Sequence, residues 1–457
     1  MIRIFNVHYP KRAVLLVSGE ALILFASFMF AAVLRIGHDS SRLLNEGYGL
    51  YGILAVPVVA LLCMYCVDLY DGQRVSSTSE INFRLLVTLG VLSLLLALVG
   101  YLFPKFLLGG GVFVTGLFIT TIALLSWRAG YAWLVRKVDL RQRIYLLGDG
   151  DRGRRIAEAI RTRDDLGMRL VGWAGSANGL LNRETLSQNL RVLASNNGAD
   201  GVIVALAERR ATMPVQELLT LRLRGIKVED GTGVLEKISG KIDVDELYPS
   251  WLIFSDGFRI NSTVGAIGRA ASIMVSSVLL VLVLPVIPFV ALAIKLTSPG
   301  PVLYRQKRVG QGGAIFNCCK FRTMRADAEA DIGATWASDD DPRITPVGLW
   351  LRRTRLDEIP QLWNVLRGDM NLCGPRPERP EFVEWLRREI PYYDLRHIVR
   401  PGVTGWAQVK YPYGSTVEDA KEKLTYDLFY IKNLSLGLDI AILLRTVKVV
   451  LWGRGAK

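Results

Sequence analysis

Apolar positions change their spacing several times along the chain, and each change marks a different kind of element. The first third holds four apolar runs, about Ala13 to Leu34, Leu50 to Leu69, Leu85 to Phe103 and Leu107 to Leu125. Each is near the ~20 residues that a membrane-spanning helix needs. The first is too long for the apolar part of a signal peptide and is followed by more membrane-like sequence, so it predicts a retained helix. From Arg143 the runs shorten and alternate with helical periodicity, which predicts strands beginning at Arg143 and at Leu170 to Trp173, Val202 to Leu206 and Ile226 to Glu229. Past Trp251 comes a long apolar stretch, Val264 to Leu296, interrupted by Pro285 and Pro288.

The basic residues set a topology. Lys11 and Arg12 precede the first run, Arg74 and Arg84 lie between the second and third, and Arg128, Arg136, Lys137, Arg141 and Arg143 follow the fourth. The other two loops carry little beyond Arg42 and Lys105, so both ends of the bundle are expected on the cytoplasmic side. Glu20 and Asp68, near or within the runs, are read as snorkelling or paired acids rather than a transport path. The stretch from Val264 has Arg269 at one end and Lys295 at the other. If it crossed the bilayer, the Arg- and Lys-rich sequence after it would lie outside. A helix that enters, breaks at the prolines and returns keeps both basic ends on one face, because proline removes a backbone hydrogen bond and clashes with the preceding turn. The competing arrangement is a kinked transmembrane helix.

The strand at Arg143 leads into Gly148-x-Gly150-x-x-Gly153 and a helix, the pattern of a doubly wound parallel sheet of Rossmann type. After the second strand the chain reads Ala174-Gly-Ser-Ala-Asn-Gly179, with no acid to hold a ribose, so working, regulatory and purely structural versions of this fold all stay open. The fold class is therefore a membrane protein, α plus α/β: a four-helix transmembrane bundle (1–140), a Rossmann-like parallel α/β domain (141–255), and a mainly α domain with a re-entrant membrane helix at about 264–296 (256–457).

Composition agrees. Hydrophobic residues make up 51% of 457 positions, mean hydropathy is +0.28, and the net charge is +14. Without a nucleic-acid module pattern, that charge points to an anionic membrane face and phosphorylated substrates, and nucleic acid is not expected as a partner. The five cysteines form no disulfide framework: Cys63 and Cys66 sit within an apolar run, and Cys318, Cys319 and Cys373 read as reduced. With His8, His38 and His397 the only histidines, a structural zinc is not expected.

Candidate chemistry gathers in the last third. In Arg352-Arg-Thr-Arg-Leu-Asp-Glu-Ile-Pro-Gln-Leu-Trp-Asn-Val-Leu-Arg-Gly368, Asp357 and Glu358 follow a basic cluster. Ile359, Leu362, Trp363 and Leu366 fall on one helical face ending at Gly368, which puts the two acids at a helix N-terminus, where they should stay ionised. On local pattern alone they could be cap residues. Upstream, alternation predicts a strand presenting Lys320 and Arg322 together. Cations and carboxylates on Gly/Pro turns beside a membrane anchor suit phosphoryl chemistry on a lipid-borne anion.

The segments Lys320-Phe-Arg-Thr-Met324, Leu356-Asp-Glu-Ile-Pro-Gln-Leu362, Gly368-Asp-Met370 with Gly374-Pro-Arg-Pro377, and Pro401-Gly-Val-Thr-Gly-Trp-Ala-Gln408 closely resemble the bacterial sugar transferase family, the polyprenyl-phosphate hexose-1-phosphate transferases or phosphoglycosyl transferases. The likeness covers about Val264 to the C-terminus. The region from Arg143 resembles the CoA-binding-like Rossmann domain in front of many such enzymes, and the whole resembles the large members that start exopolysaccharide or O-antigen assembly. The resemblance implies that Asp357 attacks the β-phosphate of a UDP-sugar, UDP-glucose or UDP-galactose, releasing UMP. Undecaprenyl phosphate then takes the phospho-sugar. It further implies Glu358 as ligand of Mg²⁺, and Lys320, Arg376, Arg308 and Arg322 as phosphate-binding groups, with Asp427 completing the site. Pro285 and Pro288 match the family's re-entrant break. The setting is the bacterial inner membrane, with the catalytic and Rossmann-like domains cytoplasmic, the lipid bilayer as partner and a homodimer as a family-level expectation. Leu438 to Trp452, with Arg445 and Lys448, looks like an interfacial helix.

Two other classes compete. A membrane-anchored nucleotide-sugar dehydratase or epimerase lacks its base, since between Arg143 and Trp251 only Tyr145 and Tyr248 occur and neither begins Tyr-x-x-x-Lys. A non-catalytic assembly scaffold does not require the complete motif set. One geometric tension stays within the main reading: neighbours on a helix project about 100° apart, so Asp357 and Glu358 cannot both address one atom.

Overall fold

A computed structural model describes residues 2–4, 7–9, 11–37, 49–70, 78–102, 110–137, 141–148, 150–174, 183–196, 198–206, 213–245, 247, 252, 257–258, 262–325, 328, 341–412 and 414–452. The topological charges Arg42, Arg74 and Lys105, the segment 175–179 and Tyr248 lie outside the described residues. The chain divides into two compact units, Met1–Ile2 with His8–Ile238, and Arg3–Val7 with Ser239–Lys457.

The first unit opens with four helices, α1 (Lys11–Ile36), α2 (Gly49–Cys66), α3 (Thr78–Leu102) and α4 (Gly110–Lys137). Apolar side chains cover these helices on all sides: Leu24, Phe28, Ile53, Leu85 and Leu124 are buried between them, while Leu22, Phe30, Leu94 and Phe118 point outward. A helix that is apolar all round needs a lipid environment. Among the described residues, Arg12–Arg35, Ser79–Tyr101, Gly110–Val135 and Ser262–Val283 are long and apolar enough to cross a membrane. The second expected span is shorter: 18 residues reach about 27 Å against a hydrocarbon core of about 30 Å.

Arg128 was expected as a flanking charge after the fourth span and instead lies inside α4. Its Nε donates to Glu20 Oε1 at 2.6 Å, with Glu20 fully buried and Arg128 8% exposed. Tyr70 Oη donates to the other carboxylate oxygen at 2.5 Å. Glu20 is thus a paired acid, as expected, and the partner is the arginine that extends the fourth helix beyond Leu125.

The described residues between 141 and 238 include a four-stranded, all-parallel sheet, β1 (Gln142–Leu147), β2 (Met168–Ala174), β3 (Gly201–Val204) and β4 (Lys227–Asp230), in the order β2-β1-β3-β4. The strands lie close to where the alternation predicts them. Helices α5 (Gly150–Thr162) and α8 (Gly231–Ser239) bury Ile156, Ile160, Val234 and Ile238 against Ile144, Leu146 and Ile203. Helices α6 (Arg183–Asn196) and α7 (Val215–Leu223) bury Leu186, Leu190, Leu218 and Leu221 against Leu147, Val202 and Val204. Period-two alternation along the strands sends successive side chains to the two helical layers. At the glycine turn Gly148 has φ of 141°, and a Cβ there would overlap the Ala205 backbone. Its carbonyl accepts the Trp173 indole N–H at 2.8 Å, so packing alone accounts for this glycine.

The second unit begins earlier than the expected boundary at 255. Ile242, Val244 and Leu247 are buried among Trp406, Leu428 and Leu438, and the Gly240 carbonyl accepts the Trp406 indole N–H at 2.8 Å. These apolar residues follow the last strand of the parallel sheet but have their buried partners in the later core. Next come α9 (Ser262–Val283), a turn at 284–286, and α10 (Ile287–Thr297), so the apolar stretch breaks at Pro285, and Pro288 falls in the first turn of α10. The rest is mainly helical: the hairpin β5 (Leu303–Val309) and β6 (Ile315–Phe321), α11 (Pro346–Arg353), α12 (Gln361–Arg367), β7 (Asn371–Cys373), α13 (Pro380–Glu389), β8 (Gly402–Thr404), α14 (Trp406–Lys410), α15 (Val417–Lys432) and α16 (Leu436–Leu451). Parallel pairing of β7 with β8 joins the Gly374–Pro377 turn to the Pro401–Gln408 segment.

Breaking the Glu20–Arg128 pair leaves a buried charge without its counter-ion. Arg128→Met should therefore destabilise the first unit by about 3–5 kcal/mol, and Glu20→Leu added to it should recover most of the loss. Thermal unfolding in detergent micelles measures both.

Candidate active site

The site is assembled from three separated segments. The first is the β5–β6 hairpin, antiparallel, with Tyr304 opposite Lys320 and Arg308 opposite Phe316. The second runs from α11 to α12. Thr345 caps α11, its hydroxyl accepting the Gly348 N–H at 3.0 Å. After α11 ends, Arg355 adopts a left-handed conformation (φ 59°, ψ 14°), uncommon for a non-glycine residue, and turns the chain into a 3₁₀ turn, Leu356–Glu358. Pro360 then caps α12, which ends at Gly368 with φ of 103°. The third is the Gly374–Pro377 turn after β7.

The two acids stand at the N-terminal end of α12, as the apolar pattern predicts, and occupy a 3₁₀ turn of their own just before it. The expected apolar face differs. Leu362 and Val365 are buried, but so are Gln361 and Asn364, while Trp363 is 59% exposed. Asn364 turns inward because its amide bonds the edge of β6.

Glu358 Oε1 accepts Lys320 Nζ at 3.0 Å and Arg376 Nη2 at 2.6 Å. Burial by itself would raise the Glu358 carboxyl, but Arg376 and Lys320 overcome it and hold the group well below its ordinary range. Asp357 is 7% exposed, and its Oδ1 accepts no hydrogen bond from the described residues. Burial, then the neighbouring Glu358 charge, pushes its carboxyl up, against the pull of Lys320, Arg352 and Arg376. Both acids are expected to stay ionised, and the structure treats them unequally: the cations pair with Glu358, while Asp357 is made more basic. Residues on a 3₁₀ turn diverge by about 120°, which suits one side chain engaged with the cations and one left with an unused oxygen.

The remaining expected residues are placed differently. Arg308 donates to the Pro377 carbonyl at 3.0 Å and to Gln306 Oε1 at 2.6 Å, bracing the turn that carries Arg376. Arg322 does not join Lys320. It lies just past the end of β6 and donates to the carbonyls of Pro299 and Ser298, both at 2.8 Å, closing the C-terminus of α10. Alternation predicts a shared face only while the strand continues, and β6 stops at Phe321. Asp427 is 1% exposed and lies 2.9 Å from Arg396, in contact but without an aligned hydrogen bond at Oδ2. Arg396 in turn donates to the Arg376 carbonyl at 2.9 Å and the Tyr393 hydroxyl at 2.6 Å, so Asp427 stands behind Arg376 rather than in the cluster.

Sequence reasoning missed Arg396 and Asn364, and read Arg269 only as a topological charge. Arg269, on α9, donates to the carbonyls of Val365 at 2.6 Å and Met370 at 2.8 Å, closing the C-terminal end of α12. Polar residues within otherwise apolar helical patterns were the available signal for Asn364.

Glu358 meets Lys320 and Arg376 through Oε1, and a carboxylate engaged through one oxygen fits the way Mg²⁺ is usually held, by one or two carboxylates together with substrate phosphates and water. Asp357 and Glu358 do not make a cage of their own: no group of three or more His, Cys, Asp or Glu suited to a metal occurs among the described residues.

Burial pushes Asp427 up to about 6, only partly offset by Arg396. A folded-state value raised above the unfolded one gives stability that is present below the unfolded range and lost as pH rises through about 6. Relative to Asp427→Asn, the unmodified protein should lose about 1.4 kcal/mol between pH 5 and pH 8. Denaturant unfolding of both proteins at the two pH values tests this.

A family model described as bacterial sugar transferase matches residues 264–453. The chain is 33% identical over 354 residues to the UDP-glucose:undecaprenyl-phosphate glucose-1-phosphate transferase of Escherichia coli (strain K12), covering 72% of this chain and 73% of that protein. It is 32% identical over 386 residues to an undecaprenyl-phosphate glucose phosphotransferase of Komagataeibacter xylinus, with 77% and 72% covered. A UDP-N-acetylgalactosamine-undecaprenyl-phosphate N-acetylgalactosaminephosphotransferase of Aeromonas hydrophila is 43% identical over 225 residues, 49% of this chain and 52% of that protein.

Proposed function

The chain belongs to the bacterial sugar transferase family, and we propose that it is an undecaprenyl-phosphate sugar phosphotransferase acting through a covalent aspartyl phospho-sugar. The observation that carries this reading is the unequal treatment of two adjacent carboxylates. Glu358 is neutralised by Lys320 and Arg376, while Asp357 is buried with an oxygen that bonds nothing described.

In the first step an Asp357 carboxylate oxygen attacks the sugar-bearing β-phosphorus of the UDP-sugar. The bond from that phosphorus to the bridging oxygen breaks, UMP leaves with the electron pair, and an acyl phosphate to the sugar remains on Asp357. In the second, a phosphate oxygen of undecaprenyl phosphate attacks the same phosphorus. The Asp357–phosphorus bond breaks and the free carboxylate returns. Raising the basicity of Asp357 strengthens it as nucleophile, provided it is deprotonated. Lys320 and Arg376, held by Glu358, offer preorganised positive charge for the phosphate oxygens that gain charge. Mg²⁺, when bound by Glu358 together with the diphosphate, would neutralise further phosphate charge. Arg308, Arg322 and Asp427 take supporting places: Arg308 and, through Arg396, Asp427 brace Arg376, and Arg322 holds α10 against the hairpin.

We read α9 and α10 as a re-entrant pair in the cytoplasmic face of the inner membrane. Arg269 near the start of α9 reaches α12, and Val290 and Ile294 of α10 pack on Phe321 and Leu351 of the same unit. Both legs thus end on one catalytic body, although α9 alone is long enough to cross. The parallel sheet of the first unit, with its order β2-β1-β3-β4, is read as Rossmann-like and cytoplasmic. The product would be the first lipid-linked sugar of an exopolysaccharide or O-antigen.

With undecaprenyl phosphate withheld, UDP-sugar should yield UMP and one protein-bound phospho-sugar, seen as a mass increase on the intact protein. Asp357→Asn should remove the adduct and lower turnover at least about 10³-fold, whereas Arg322→Lys should cost far less. UMP release only in the presence of both substrates would support direct transfer instead. The assay run over UDP-glucose, UDP-galactose and UDP-N-acetylgalactosamine identifies the sugar. For topology, cysteines introduced near Gly257 and near Gly300 should react with an impermeant reagent from the same side of the membrane. Reaction from opposite sides would make the stretch a transmembrane helix.

A further inference from the structure

Asn364 lies on α12, is 1% exposed, and has no role in the two chemical steps. Its Oδ1 accepts the Cys319 N–H at 2.9 Å, and its Nδ2 donates to the Asn317 carbonyl at 2.8 Å and to Asp369 Oδ2 at 3.1 Å. A neighbouring parallel strand bonds in this way, one residue engaging positions i−1 and i+1 of its partner, here the two residues flanking Cys318. The Asn364 amide therefore takes the place of a third strand on the edge of β6 that β5 leaves open. It joins the strand bearing Lys320 to the helix that follows Glu358. The register of these segments must be kept for the Lys320–Glu358 ion pair at 3.0 Å to form.

We propose that Asn364 is a positioning residue for phosphoryl transfer: it clamps β6 to α12 and thereby holds Lys320 on Glu358 and against the substrate phosphates. This rests on the site reading above. The clamp suits the task because asparagine offers a donor and an acceptor on one rigid plane. Aspartate has the same shape but cannot donate to Asn317, and it would place a second carboxylate beside Asp369. Arg269 fixes the C-terminal end of the same helix through the Val365 and Met370 carbonyls, and the Asn364 amide ties its middle to the edge of β6 opposite the one that β5 covers.

A double-mutant cycle separates positioning from general damage. Asn364→Leu should lower kcat for UMP release about 10- to 30-fold with a smaller change in KM for the UDP-sugar, and Asn364→Asp should not rescue it. In a Lys320→Met background the same Asn364→Leu substitution should cost less than about twofold, because the residue it positions is gone. The split between kcat and KM gives a second readout, since a positioning role lowers kcat while leaving KM for the UDP-sugar nearly in place. Losses that multiply in the cycle, with kcat and KM worsened alike, would overturn the inference and leave Asn364 as a packing residue. A Lys320→Met enzyme of full activity would instead overturn the site reading, and the inference with it. If Asn364→Leu does not fold, Asn364→Ser, which leaves space for water on the strand edge, enters the same cycle.

Discussion

One carboxylate oxygen, Oε1 of Glu358, is shared by Lys320 and Arg376, and the second unit is arranged so that this three-group contact can form. The groups come from a strand, a 3₁₀ turn and a Gly/Pro turn, none of which would hold its position alone. Partly burying three charges is costly, and the cost is offset only when geometry and further hydrogen bonds are good. The surroundings supply both. Arg308 braces the turn behind Arg376, Arg396 donates to the Arg376 carbonyl, and Asn364 ties the Lys320 strand to the helix after Glu358.

Satisfying Glu358 has a consequence for its neighbour. The cations that hold Glu358 ionised are only a partial influence on Asp357, whose burial and proximity to the Glu358 charge raise its carboxyl. Two residues of the same chemistry, one bond apart in sequence, are thereby given different electrostatic character. The 3₁₀ turn makes this possible, since it points successive side chains apart, and the left-handed Arg355 starts that turn.

The apolar helices α9 and α10 are built into the same body. Arg269 extends from α9 to the last carbonyls of α12, and Arg322 closes α10 from the end of β6. Each arginine was visible in the sequence as a positive charge beside an apolar stretch or a motif. Neither use was visible, because a carbonyl-capping arginine and a phosphate-binding arginine have the same letter. The distinction depends on which carbonyls the folded chain brings within reach. Arg128 makes the same point in the bundle: as a letter it ends an apolar run, and only the packing of α4 on α1 reveals Glu20 as its counter-ion.

The sequence by itself determined the apolar helices, the parallel strands and the proline break, while the grouping of Lys320, Asp357, Glu358 and Arg376 rested on family motifs, with which the contacts of Lys320 and Arg376 to Glu358 agree. Periodicity is a local property, and Gly/Pro turns carrying charge leave a local trace. Tertiary structure alone decided that Asp357 and Glu358 occupy their own turn before the helix, that Trp363 faces outward while Asn364 faces in, that Arg322 and Asp427 stand behind the site, and that Ile242, Val244 and Leu247 belong with the later core. Those outcomes depend on which distant backbone groups and charges need partners. A buried strand edge takes an amide, and a buried carboxylate takes whichever cations the fold can bring to it.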